Sequence, residues 1–193
     1  NIVSNGVQWI EERPWLNTKL ILNNNTILDG EIKLIGINPD NFREAENWSY
    51  RVKLKKDQYF KEFKKFNLLV PYSRGYFNDV YYNTIFKEEG GLFINSQPVI
   101  TRLFNSFQLQ IFEPFFSKEL IESQQRRDGL ILTDDSVDIN QIKHLKLVYP
   151  DKFTSLSSKE LEMYQFYDAE FRKGNLKRYI NIKQYAFLVA VGI

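Results

Sequence analysis

Residues 50–55 read Tyr-Arg-Val-Lys-Leu-Lys. A β-strand sends successive side chains to opposite faces, so alternation puts Tyr50, Val52 and Leu54 on one side and Arg51, Lys53 and Lys55 on the other. The chain must therefore supply a core against one face of this strand and carry three cations on the other. With 43% hydrophobic and 16% aromatic residues in 193, it has ample material for that core, most simply in one domain of two lobes.

The charge balance limits what the cations can serve. Lys and Arg total 26 against 24 Asp and Glu, a net of +2, which gives no general case for a nucleic-acid partner. Electrostatic function has to come from local clustering, and residues 51–65 hold seven cations against Asp57 and Glu62. Several cations close together are what a phosphate chain needs, and Arg can take two of its oxygens at once. Spacing alone favours the plainer reading, a solvated face of an antiparallel strand and its following turn.

Other chemistries are restricted by what the chain lacks. It has no Cys, which removes disulfides, thiolate nucleophiles and Cys-containing zinc patterns. His144 is the only histidine, so a multi-His metal site is excluded, and the stretch Ile142-Lys143-His144-Leu145-Lys146 reads as a half-exposed helix. Asp134, Asp135 and Asp138 lack the Gly and terminal Glu of a calcium loop, and a turn followed by a helix cap suits them better than a metal. No apolar run approaches the length of a membrane span, and the start has no signal-peptide plan. The apolar ending over residues 185–193 reads as a cut through a core helix.

Along the chain, strands come first. Residues 19–22 and 31–37 form a hairpin or meander, with Asn23-Asn24-Asn25 and Asp29-Gly30 as turn signals. Residues 48–55 and 66–70 are further strands, the latter apolar enough to be central. Tyr76, Phe77, Val80, Tyr81, Ile85 and Phe86 then recur at helical spacing up to Gly90-Gly91. Residues 98–104 and 107–112 are a strand pair joined at Asn105-Ser106, and Ser117 caps a short helix running to Gln125.

A capping box at Ser157 and Glu160 starts a helix with an apolar stripe of Leu161, Tyr164, Tyr167 and Phe171, stopped by Gly174. Asn181 caps a last segment. This order predicts an α+β fold, an antiparallel sheet lobe over about residues 17–133 leading into a more helical part over 134–193.

Arg74-Gly75, between a central strand and a helix, suits an anion site and a plain turn equally. No Gly-rich phosphate loop is present, so a nucleotide has to be held by side chains. Glu113, Glu119 and Glu122 are the acids available to set the geometry of a phosphate-binding cation, as ion pairs do in kinases, although such residues more often make surface pairs.

Five motifs in order resemble the bacterial spore-coat H (CotH) kinase-like family. They are Trp48-Ser49-Tyr50-Arg51-Val52-Lys53-Leu54, Lys64-Lys65-Phe66-Asn67-Leu68, Ser73-Arg74-Gly75-Tyr76, Phe116-Ser117-Lys118-Glu119-Leu120-Ile121-Glu122 and Arg126-Arg127-Asp128-Gly129. The likeness covers about residues 31–133, and residues 181–191 resemble the helix before that family's catalytic segments. It implies an atypical protein-kinase-like fold that phosphorylates protein substrates with ATP and a divalent ion such as Mg, at the cell surface or spore coat. On that basis Arg51 and Lys53 contact nucleotide phosphates and Arg74 helps to position them. The competing expectation is a non-catalytic surface or coat-assembly protein that keeps the fold for protein contacts.

Departures from the family pattern fall near the presumed cleft. Asn38-Pro39-Asp40-Asn41-Phe42 retains only the Asp of an acidic and Asp-His element. Gln108-Leu109-Gln110 stands where the family has Gly-x-Tyr, and Glu113-Pro114-Phe115 replaces an acidic pair followed by a basic residue. The family's downstream carboxylates and Asn have no match up to Ile193, so the resemblance implies a truncated chain with negligible phosphotransfer.

Overall fold

The computed structural model describes residues 13–36, 47–103, 105–126, 129–134, 145–150, 153–175 and 178. It has an α+β fold whose main element is a six-stranded antiparallel sheet. The chain divides into two compact units, Asn1–Phe115 and Phe116–Ile193.

In the first unit the strands are β1 (Leu16–Ile21), β2 (Ile27–Leu34), β3 (Tyr50–Leu54), β4 (Lys65–Leu69), β5 (Gln97–Leu103) and β6 (Ser106–Pro114). Their spatial order is β1-β2-β3-β4-β6-β5, so β3 and β4 lie at the centre. As its alternation requires, β3 buries Tyr50, Val52 and Leu54, leaves Arg51 half-buried and exposes Lys53. Lys55, just beyond the strand, is exposed as well.

The core lies on the Val52 side. Phe66 of β4 and Phe112 of β6 are fully buried with ring centroids 5.1 Å apart. The segment after β3 folds back to add Phe60, 5.5 Å from Phe66 and 5.4 Å from Phe112, and Phe63, 6.2 Å from Phe112. Towards β5 the same side turns polar but satisfied: buried Gln110 donates from Nε2 to the Trp48 carbonyl and accepts from the Thr101 hydroxyl. Ser49, also buried, accepts from the Val70 amide and ties the start of β3 to the end of β4.

Asp29-Gly30 is not a turn. Both residues sit inside β2, where Gly30 stands opposite Leu54, and a Cβ on Gly30 would come within 2.9 Å of the Lys53 carbonyl. Glycine serves close backbone approach here rather than reversal. The chain turns at the other signal, Asn23-Asn24-Asn25, with Asn25 at φ 61° and the Thr26 amide donating to Asn24 Oδ1.

After β4, a 3-10 turn at Pro71–Arg74 leads to α1 (Asn78–Glu88), which ends at Gly90 with φ 70°. The aromatic stripe read from the sequence is there, yet α1 buries none of its residues.

The second unit contains α2 (Lys118–Glu122), the antiparallel pair β7 (Ile131–Asp134) and β8 (Leu145–Tyr149), and α3 (Ser158–Arg172). Ser117 precedes α2 without a side-chain cap bond, so its capping role does not hold. Leu145 and Lys146, expected in a helix, belong to β8. The Leu145 amide donates to Asp168 Oδ1 and its carbonyl accepts from the Tyr164 hydroxyl, so α3 satisfies the strand's backbone and tertiary contacts override local pattern. His144, Asp40 and Asn181 lie outside the described residues.

The capping box of α3 forms as read, with Ser157 accepting from the Glu160 amide and Glu160 accepting from the Ser157 amide and hydroxyl. These bonds hold the Glu160 carboxyl below its ordinary value of 4.5. Gly174 at φ 71° ends the helix region.

Between Phe60 and Phe63 the chain reverses on Lys61 and Glu62, at φ 50° and 74°. Two successive residues in the left-handed region suit Asn-Gly far better than Lys-Glu. Glu62→Gly is therefore expected to raise stability by about 0.5–1 kcal/mol, read from denaturant midpoints. A loss of stability would show that the reversal is not strained.

Candidate anion site on the charged sheet face

The face of the sheet opposite the phenylalanine core carries the cations, and strand register brings them together. Lys33 of β2 stands opposite Arg51 of β3, and Lys53 of β3 stands opposite Lys65 of β4. Like charges directly opposed on neighbouring strands destabilise a sheet. Asp29 and Glu31 of β2, the latter opposite Lys53, and Glu113 of β6 are acids on this face.

Arg51 is the most constrained of the cations. Its Nε donates to Asn67 Oδ1 at 2.9 Å, and Asn67 Nδ2 donates to Glu113 Oε1 at 2.9 Å. The guanidinium lies over the Phe115 ring, 4.6 Å from its centroid, and the Lys65 ammonium lies 3.7 Å from the same centroid. Burial pulls the Arg51 guanidinium below its ordinary value, and the Glu113 carboxylate opposes that pull. The bond to Asn67 is the one hydrogen bond of Arg51 among the described residues, so the protein engages neither Nη group there.

Lys33 lies over the Trp15 ring at 4.8 Å. Burial lowers its ammonium from its ordinary value, and the neighbouring charges of Arg51 and Arg13 lower it further. An anion between Lys33 and Arg51 would relieve that repulsion.

The three expected contacts fare differently. Arg51 and Lys53 share this face. Arg74 ends the 3-10 turn after β4, and its side chain lies outside the described parts. Lys55, in line with Arg51 by alternation, is drawn to β1, where its ammonium donates to Asn17 Oδ1 in a shallow notch that also includes Lys19, Asp29 and Lys56.

Of the acids Glu113, Glu119 and Glu122, Glu113 is joined to Arg51 of the cationic strand through Asn67. In the second unit, Glu122 pairs with Lys118 within α2. Sequence reasoning passed over Lys33, Asn67 and Phe115. Asn67 left a signal, as the lone polar residue in the buried run Phe66-Asn67-Leu68-Leu69-Val70.

Chemically, the face offers a half-buried guanidinium whose two Nη groups have no hydrogen bond among the described residues, flanked by ammonium groups on both neighbouring strands. That is equipment for binding a multiply charged anion. A nucleophile with an activating base is not evident in it. Among the described residues no group of three or more His, Asp or Glu stands together to hold a metal ion. No family model matches the chain, and no curated protein matches it.

If the Lys33–Arg51 opposition is a real cost, Lys33→Met, which keeps the stem over Trp15, is expected to raise stability by about 0.5 kcal/mol at low salt. The gain should shrink as salt rises towards about 1 M. Destabilisation by this variant, read from chemical unfolding at several salt concentrations, would contradict it.

Proposed function

We propose that the first unit is the nucleotide-binding sheet lobe of a divergent CotH-like atypical protein kinase, with Arg51 and Lys53 holding the phosphates of ATP. The observation that carries this reading is the Arg51 guanidinium, tethered through Nε, desolvated over Phe115 and leaving both Nη groups without a protein hydrogen bond among the described residues. A partly buried fork of this kind is suited to paired phosphate oxygens and binds them more strongly than an exposed one. In the intact family fold the function would be phosphorylation of protein substrates. Magnesium would accompany the nucleotide, but the described residues supply no cluster for it, so its positioning is not assigned to them.

A second reading has its own support. Tyr76, Phe77, Tyr81 and Tyr82, on α1 and the turn before it, are exposed, and α1 buries nothing. Exposed aromatic side chains in one region suit a protein interface. That favours a surface or coat-assembly protein that keeps the fold for protein contacts.

Titration calorimetry with Mg-ATP separates the two. The kinase-like reading expects measurable binding that falls about tenfold or more, at least ~1.4 kcal/mol, in Arg51→Ala and by a smaller factor in Lys53→Ala. Absence of binding, or binding untouched by Arg51→Ala, removes the nucleotide reading and leaves the assembly role.

A further inference from the structure

A guanidinium can rotate about its long side chain, and an arginine recruited to an anion loses affinity through that freedom. Arg51 is held differently. Asn67 is only 6% exposed, and its amide lies between a donor and an acceptor. An amide can sit either way round, with oxygen and nitrogen exchanged. Glu113 decides the orientation, because a carboxylate only accepts and therefore draws the Asn67 NH2 group to itself. The Asn67 oxygen must then point to Arg51, where it can take only a donor, and the Nε–H satisfies it.

Charge also favours an amide here. An Asp at position 67 would offer Arg51 the same oxygen but add a second carboxylate beside Glu113 and cancel more of the guanidinium's field. A Leu would fill the volume and leave Nε untied. Asn alone of these three transmits the orientation set by Glu113 while leaving the charge of Arg51 available to a ligand.

We infer that Asn67 is a positioning residue: its amide, oriented by Glu113, fixes Arg51 through Nε so that both Nη groups are presented together to a pair of phosphate oxygens. This rests on the anion-site reading above and adds the device that makes Arg51 selective for a bidentate oxyanion. Phe115 supports the same end from the other side, since its ring holds the guanidinium plane while Asn67 holds its edge.

The test uses the 193-residue chain and inorganic pyrophosphate, with two readouts. Side-chain NMR follows the Arg51 Nε–H: slow solvent exchange is expected in the wild type, with fast exchange in Asn67→Leu and slow exchange kept in Asn67→Asp. Calorimetry with pyrophosphate is expected to show a loss of about tenfold in Asn67→Leu and a comparable loss in Asn67→Asp, with unchanged enthalpy of binding in neither. Unfolding midpoints establish that each variant is folded, and Asn67→Ala, which also removes the tether, carries the positioning test if Asn67→Leu is not folded.

Fast Arg51 Nε–H exchange in the wild type overturns the tether. Wild-type pyrophosphate affinity in a folded variant that lacks the tether, Asn67→Leu or Asn67→Ala, overturns the positioning role even where Arg51→Ala abolishes binding. If the tether is seen but pyrophosphate does not bind the wild type, the anion site falls, and the positioning role falls with it as a ligand-binding device. Failure of Mg-ATP alone, with pyrophosphate bound, removes only the nucleotide assignment.

Discussion

The pairing of β3 between β2 and β4 is the constraint on which the rest of the first unit depends. It sets Val52 between Ile32 and Phe66 and, one residue away, Arg51 between Lys33 and Asn67. Because side chains alternate strictly, one register decides both the phenylalanine core and the charged face. A slip of one residue would put Arg51 and Lys53 against Phe112 and send Val52 to solvent. Burial of Tyr50, Val52, Leu54 and Phe66 therefore holds the cations in opposition, whatever they cost each other.

That cost organises the site. Lys33 and Arg51 repel across one strand pair, and Lys53 and Lys65 are opposed across the next. The protein's own compensation is partial. Glu113 supports Arg51 both by its charge and through the Asn67 amide, Glu31 stands opposite Lys53, and aromatic rings lie under Lys33, Arg51 and Lys65. A direct ion pair would have consumed the Nη groups of Arg51. The relay through a neutral amide stabilises the cation while leaving it able to bind, which is why an anion is the ligand the face suits.

Much of the sheet was legible because period-two alternation and turn residues are local signals. Both hairpins, the faces of β3 and the capping box at Ser157 follow from the sequence pattern. What was not legible depended on distant partners. Gly30 read as a turn because its packing against the Lys53 carbonyl cannot be seen locally, and Leu145 read as helical because Asp168 and Tyr164 of α3 hold it as strand. At the site, Arg51 and Lys53 stood out by alternation within one strand. Lys33, Asn67 and Phe115 belong to three other segments, and only register joins them to Arg51.

The most direct measurement is a crystal structure of the 193-residue chain grown with pyrophosphate. The anion is expected on the charged face, with oxygens within hydrogen-bond distance of both Arg51 Nη groups and the Asn67 and Glu113 bonds intact. Pyrophosphate bound only in the notch beside Lys55 and Asn17, or an Arg51 guanidinium turned away from Asn67, would contradict it.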